Sequence, residues 1–290
     1  MAPCPSTLGV VTDLQTAPDR VRARRRPAVA GGAGPAEHRE LPVYEAGGVE
    51  VPFVIAGSQE EMARNTSWAE HSHPTHELLW NERGSSSATV GPRTWTITRT
   101  IGLWIPAGVR HSGWTPAGTL LRAALLHIDR APAIADGPVA VGITPLLRLL
   151  LDRLTSEELS DESRAITETM VIDVLTPAPR ELLLHVPTAP LLAPIVQTVA
   201  DRPADDTTLA GWASRLGVST RTITRAFHAE TGLGFGQWVG MARCRHAIVL
   251  LAQGEDIEDV ARSVGFGSSS AFSTAFRRTT GMSPGRFRTQ

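Results

Sequence analysis

LAGWASRLGVSTRTITRAFHAETG, residues 209–232, returns in altered form as IEDVARSVGFGSSSAFSTAFRRTTG, residues 257–281. Ala213 and Gly217 align with Ala261 and Gly265, and Ile223, Phe227 and Gly232 align with Phe272, Phe276 and Gly281 once a single residue is inserted. That residue falls in the turn. Each unit reads as a helix with a small alanine that permits close crossing, a glycine where the backbone turns sharply, a serine as N-cap (Ser219 and Ser268) and a second helix. Ile223 and Phe227 face the core of the first unit, which leaves Arg221, Thr222, Thr224 and Arg225 pointing outward.

Between the units, GFGQWVGMARCRHAIVLLAQG (234–254) supplies about 18 helical residues, a rod of roughly 27 Å. Two second helices held on such a rod suit successive major grooves of DNA, spaced by about 34 Å. The tandem arrangement, closing with GFGSSSAFSTAFRRTTGMSPGRFR (265–288), closely resembles the DNA-binding domain of the AraC/XylS family of transcription regulators over about residues 190 to 288. The resemblance implies base-facing roles for Arg221, Thr224 and Arg225, with Thr222 beside them. Ser269, Ser270 and Thr274 hold the corresponding places in the second unit. Those side chains are short, so the second unit is expected to act mainly on phosphates through Arg277 and Arg278.

Outward from this domain the period changes. TPAPRELLLHVPTAP (176–190) is a proline-punctuated linker, and before it Leu147, Leu150, Leu151 and Leu154, then Ile166, Met170 and Val174, mark two helices by their three- and four-residue spacing. Earlier still, VPFVIA (51–56), SATV (87–90), TWTIT (94–98), LWIPAG (103–108) and LLRAALLHI (120–128) are short, branched or aromatic, and divided by Gly and Pro. Many short strands at this spacing mean a sandwich or barrel. Residues 1–40 lack apolar periodicity and are expected to be a disordered leader.

The expected organisation is an α+β chain of two domains. A β-barrel covers 41–135, a helical dimerisation and linker region 140–180, and an all-α tandem helix-turn-helix domain 187–290. The helical stripe of 143–175 is expected to form a homodimer, the other possibility being that it covers the chain's own barrel.

Within the barrel, HSHPTHELLW (71–80) and PAGVRH (106–111) place His71, His73, Glu77 and His111 in a pattern that looks like the two motifs of the cupin barrel. The second motif is matched only in its central part. Residues i and i+2 share a strand face, so His71 and His73 both look inward, Glu77 has the same parity, and His76 has the opposite one and is expected to be exposed. Three readings stay open: one divalent metal (Fe, Mn, Ni or Zn), a metal-free effector site, or groups that satisfy one another. An effector pocket is expected from His71, His73 and His111 with aromatic walls at Trp80 and Trp104.

The bulk properties agree with two soluble cores. The 290 residues are 42% hydrophobic with formal net charge −1, so DNA binding rests on local arginines and not on the total. No apolar run approaches the roughly 18 residues of a membrane span, and two cysteines, Cys4 and Cys244, suit a reducing compartment, so the chain is expected in the cytoplasm. The function expected is sequence-specific regulation of transcription. Its partners would be promoter or operator DNA, a small-molecule effector and, for an activator, RNA polymerase. The competing readings are a cupin metalloenzyme (an oxygenase or isomerase) with a nucleic-acid tether, and an architectural DNA protein.

Overall fold

Alternation along two strands shows how the N-terminal half is built. In β4 (His76–Arg83) Glu77 and Leu79 line a cavity, whereas Leu78 and Trp80 pack into a core on the other face. In its neighbour β9 (Leu120–Leu126), Leu121 and Ala123 line the cavity and Ala124 and Leu126 join that core. A period of two thus divides each strand between a lumen and an outer layer.

The computed structural model describes residues 36–156 and 158–289. The five-stranded sheet runs in the order β10 (Val139–Gly142), β7 (Ile101–Ile105), β4, β9, β2 (Ile55–Glu61). Facing it is a six-stranded sheet in the order β1 (Glu37–Arg39), β3 (Thr66–His71), β8 (His111–Thr115), β5 (Ser86–Val90), β6 (Arg93–Ile97), β11 (Leu183–His185). The cupin-like domain is therefore wider than the 41–135 expected from sequence. It takes in β1, which pairs in parallel with β3, and β10 and β11 beyond its expected end. The leader expected over 1–40 lies outside the described residues up to 35.

Two helices cover the outer face of the five-stranded sheet. Helix α1 (Pro145–Arg153) starts where Thr144 accepts a hydrogen bond from Leu147 N–H and Pro145 presets the first turn, and α2 (Asp161–Val174) is capped by Ser160. Leu147, Leu150, Leu151, Leu154 and Val171 bury themselves against Leu78, Trp80 and Trp104. Each such side chain contributes roughly 1.5 to 3 kcal/mol. This half of the stripe covers the chain's own barrel. Leu146, Leu149, Ile166 and Met170 stay exposed on the opposite side.

The linker is more ordered than its prolines suggest. Leu183 is paired with Trp95 of β6 and packs on the barrel core, while Leu182 and Leu184, on the opposite face, each enter a different core of the C-terminal domain.

That domain comprises α3 (Ala193–Asp201), α4 (Leu209–Leu216), α5 (Thr220–Thr231), α6 (Phe235–Ala252), α7 (Ile257–Ser263), α8 (Ser269–Thr280) and α9 (Pro284–Arg288). Ser219 and Ser268 cap α5 and α8 by accepting from Thr222 N–H and Ala271 N–H. Gly217 and Gly265 turn the chain at φ of 65° and 81°, values that an L side chain adopts only with strain. Ile223 and Phe227 centre one core, Phe272 and Phe276 the other, and the 18-residue α6 contributes to both.

Candidate sensor pocket and DNA-reading helices

Four side chains that the sequence singled out meet at one end of the barrel lumen. His71 closes β3 directly opposite His111, the first residue of β8, with ring centroids 4.3 Å apart. His73 sits in the connection to β4, 5.1 Å from His71 and 5.4 Å from His111. One nitrogen of each ring can be chosen so that all three lie within 4.8 Å of one another. From β4, Glu77 brings Oε2 to 3.3 Å from His111 Nε2 and 3.5 Å from His73 Nε2.

The ring orientations are held from behind. His71 Nδ1 lies 2.8 Å from Ala69 O and His111 Nδ1 3.0 Å from Val109 O. With Nδ1–H donating to those carbonyls, His71 keeps an Nε2 lone pair and His111 directs Nε2 at the Glu77 carboxylate; a carbonyl behind the ring is the arrangement found behind metal-ligating histidines. Glu77 Oε2 is buried without an aligned hydrogen-bond donor. An orphaned carboxylate oxygen among imidazole nitrogens is a donor set that fits a divalent ion.

Burial and mutual charge shift these groups in different directions. Burial pushes His71 down to about 4, so it is neutral at pH 7. Burial alone would raise Glu77, but His73, His111 and His71 outweigh it and hold the carboxyl at about 2. His111 is raised: burial disfavours its charged form, and the Glu77 carboxylate more than compensates.

Above this floor lies a cavity of about 390 Å³ whose wall includes Trp68, Leu79, Ala88, Ile97, Leu121 and Ala123. At its rim Arg39, from one sheet's edge strand, donates to both carboxylate oxygens of Glu60, from the other's, at 2.6 and 2.8 Å.

In the C-terminal domain Arg221, Thr222, Thr224 and Arg225 are all exposed on α5, around the buried pair Ile223 and Phe227. On α8, Ser270, Thr274, Arg277 and Arg278 are exposed and Ser269 is half-buried. Thr224 and Thr274 donate their hydroxyls to the carbonyls of Thr220 and Ser270, one turn back.

The helix-turn-helix domain model matches residues 212–290, and that of the AraC-like ligand binding domain matches 58–172. The HTH-type transcriptional regulator NimR of Escherichia coli K12 is 28% identical over 245 residues, covering 82% of this chain and 86% of that protein. RipA of Corynebacterium glutamicum, also an HTH-type transcriptional regulator, is 32% identical over 221 residues, 73% of this chain and 61% of its own length. Among solved structures, the C-terminal domain of AraT, a response regulator from Geobacillus stearothermophilus, is 29% identical, covering 35% of this chain and 85% of that one with a TM-score of 0.33. This chain belongs to the AraC family of transcription regulators.

Two expectations for the regulator's pocket are corrected. Trp80 and Trp104 do not line it. Both are almost fully buried in the layer under α1 and α2, because Trp80 has the opposite parity to Glu77 and Trp104 pairs with Leu78. His76 does face away from the lumen, but it is buried and not exposed. Its Nδ1 accepts from Ala107 N–H at 3.0 Å and its ring lies over Trp104. The aromatic wall that strand parity hid is Trp68, since a register shift between Trp68 and His71 brings both into the lumen. On α5, His228 shares the outward side of the helix. It is exposed at three and seven residues from Arg225 and Arg221, on the same helix face.

Proposed function

We propose that this AraC-family regulator uses its barrel as a metal-centred receptor for a small molecule and passes occupancy to two DNA-reading helices. The observation that carries the reading is the convergence of ring nitrogens of His71, His73 and His111 within 4.8 Å of one another beside the buried Glu77 oxygen, at the floor of an apolar cavity. His71, His73, Glu77 and His111 would hold Fe, Mn, Ni or Zn; a bound ion supplies an open coordination position for one donor atom of the effector. The apolar wall then takes the effector's body.

The route to DNA runs through the sheet and not through α1 and α2. Ala88 in β5 and Ile97 in β6 line the cavity, β6 is hydrogen-bonded to β11, and Leu182 and Leu184 flanking Leu183 are seated in the two DNA-binding cores. Arg245 of α6 adds a contact to Ser87 Oγ of β5 at 3.2 Å. A shift in these strands alters how the DNA-binding domain is placed, which is how ligand occupancy changes an equilibrium between two arrangements.

The same His and Glu cluster supports a second reading, a cupin metalloenzyme such as an oxygenase or isomerase. Both curated relatives above are named as regulators, which supports the first reading, and a cytoplasmic site of action goes with it. Turnover of a metabolite by the metal-loaded chain is the result that favours the second. For an activator, RNA polymerase is the further partner.

Footprinting tests the proposal. On a duplex selected from random sequence by the full chain, two protected stretches one helical turn apart are expected, with occupancy changing several-fold between Ni²⁺-loaded and chelator-treated protein. Protection of one groove alone, or occupancy indifferent to the metal, refutes it.

The homodimer remains part of this reading. Leu146, Leu149, Ile166 and Met170 are 49%, 66%, 56% and 43% exposed, an apolar group on the side of α1 and α2 away from the barrel. Leu149→Glu is expected to convert the chain to a monomer by sedimentation while moving its own stability by no more than about 0.5 kcal/mol. An unchanged sedimentation coefficient in a dimeric protein places the interface elsewhere.

A further inference from the structure

The two helix-turn-helix units are separate cores strung on one helix. Along α6, Trp238 and Ala242 belong to the first core, and Cys244, Ala247, Ile248 and Leu251 to the second. Arg243 stands at the divide. Its guanidinium donates three hydrogen bonds, each 2.8 Å long, to backbone carbonyls: Nε to Pro203 and Nη2 to Asp205, in the segment leading into α4, and Nη1 to Gly265, in the turn between α7 and α8. One side chain therefore grips both units.

The units also touch at that point. Gly265 has φ of +81°, and a Cβ built there would lie 2.7 Å from Ala204 Cα and 3.0 Å from Arg243 Cζ. Only glycine lets the second unit's turn approach the first so closely. Elsewhere a shared helix sets the distance between the units but resists their rocking about it only through side-chain packing. A planar guanidinium bonded to carbonyls on both sides adds a directional restraint.

We propose that Arg243 is a positioning residue for DNA reading: by tying the Pro203–Asp205 segment to the Gly265 turn, it fixes the spacing and helical phase of α5 and α8. This rests on the reading of α5 and α8 as the DNA-facing helices. One inserted base pair moves a groove by about 3.4 Å and turns it by about 35°, so a rigid pair of helices must penalise an insertion that a loosened pair tolerates. Loss of Arg243 lowers the affinity for the selected spacing and flattens the dependence on spacing.

The experiment measures affinity of the full chain for its own selected duplex and for versions with one, two or three base pairs inserted between the half-sites. The unsubstituted chain is expected to lose at least tenfold on the first insertion. Arg243→Met should bind the selected spacing at least tenfold more weakly and lose less than threefold on that insertion. Weaker binding with the tenfold insertion penalty intact overturns the proposal, because a general loss of fold or charge has no reason to change spacing preference. If the unsubstituted chain shows no insertion penalty, the tandem reading itself is wrong. Should Arg243→Met not fold, Arg243→Lys decides, with spin labels at Ala229→Cys and Ala271→Cys in a Cys4→Ser background. A distance distribution broadened relative to Arg243 sustains the proposal, and one equally narrow overturns it.

Discussion

Glu77→Gln is expected to weaken Ni²⁺ or Zn²⁺ binding by more than about 100-fold in calorimetry, since even groups behind a ligand are worth 10- to 100-fold and Glu77 would be a ligand itself. His71→Ala should do the same. Both variants should keep the DNA affinity of the chelator-treated chain and lose its response to the metal, because the lumen and the helices α5 and α8 share no residue. The metal-free protein carries a second signature, in pH. The folded His71 titrates at about 4 because it is buried, against 6.5 when unfolded. Between those values only the unfolded chain binds the proton, so this contribution is complete above about pH 6.5 and falls away, by on the order of 3 kcal/mol, towards pH 4. Glu77 adds a loss further down, from its ordinary 4.5 towards about 2.

His111 works in the opposite sense. Although burial disfavours its charge, the Glu77 carboxylate raises it, so its contribution is complete below 6.5 and is lost as pH rises through the folded value. Chelator-treated protein should be most stable near neutrality and weaken on both sides, as read from urea midpoints. Added metal should remove the alkaline decline, because the ion takes the place of the proton on His111. A flat profile between pH 4 and 6.5, together with unaltered metal binding in Glu77→Gln, removes the metal-centred reading.

What the sequence disclosed and what it withheld follow from the range of the interactions. Ser219, Ser268, Gly217 and the length of α6 are local features, governed by capping and backbone conformation within a few residues, and each was legible from its neighbours. His71, His73, Glu77 and His111 were legible through a family motif; alternation counted from His71 does not carry to the others, because β3 ends at His71, His73 lies in the connection and Glu77 belongs to β4. Trp68 was not, since a register shift in β3 reverses the parity counted from His71. His76 was misplaced because the face opposite the lumen is normally wet on an antiparallel sheet, and here it is roofed by the loop at Ala107 and the Trp104 layer. The three leucines before His185 gave no strand signal because their partners lie in two domains at once. Arg243 looks like any other helical arginine until the carbonyls around it are placed by the fold.

The division of labour between α5 and α8 is the other consequence with a large expected effect. Arg221 and Arg225 lie one turn apart and exposed on α5, each long enough to bridge two acceptors on a guanine edge, whereas the equivalent face of α8 offers Ser270 and Thr274, whose hydroxyl is already committed to the Ser270 carbonyl. Replacing Arg221 and Arg225 together by alanine should therefore remove about 2 to 6 kcal/mol of discrimination between the selected duplex and a scrambled one, at about 1 to 3 kcal/mol for each bidentate contact. Nonspecific affinity should change far less. Arg277→Ala with Arg278→Ala should do the reverse, weakening selected and scrambled duplexes alike and reducing the slope of log affinity against log salt by about 2. Fluorescence anisotropy across a salt series separates the two patterns, since base contacts change the ratio between duplexes and phosphate contacts change the slope common to both. Equal loss on both duplexes in the α5 variant would make Arg221 and Arg225 phosphate contacts, and would leave discrimination to the deformability of the site between the half-sites.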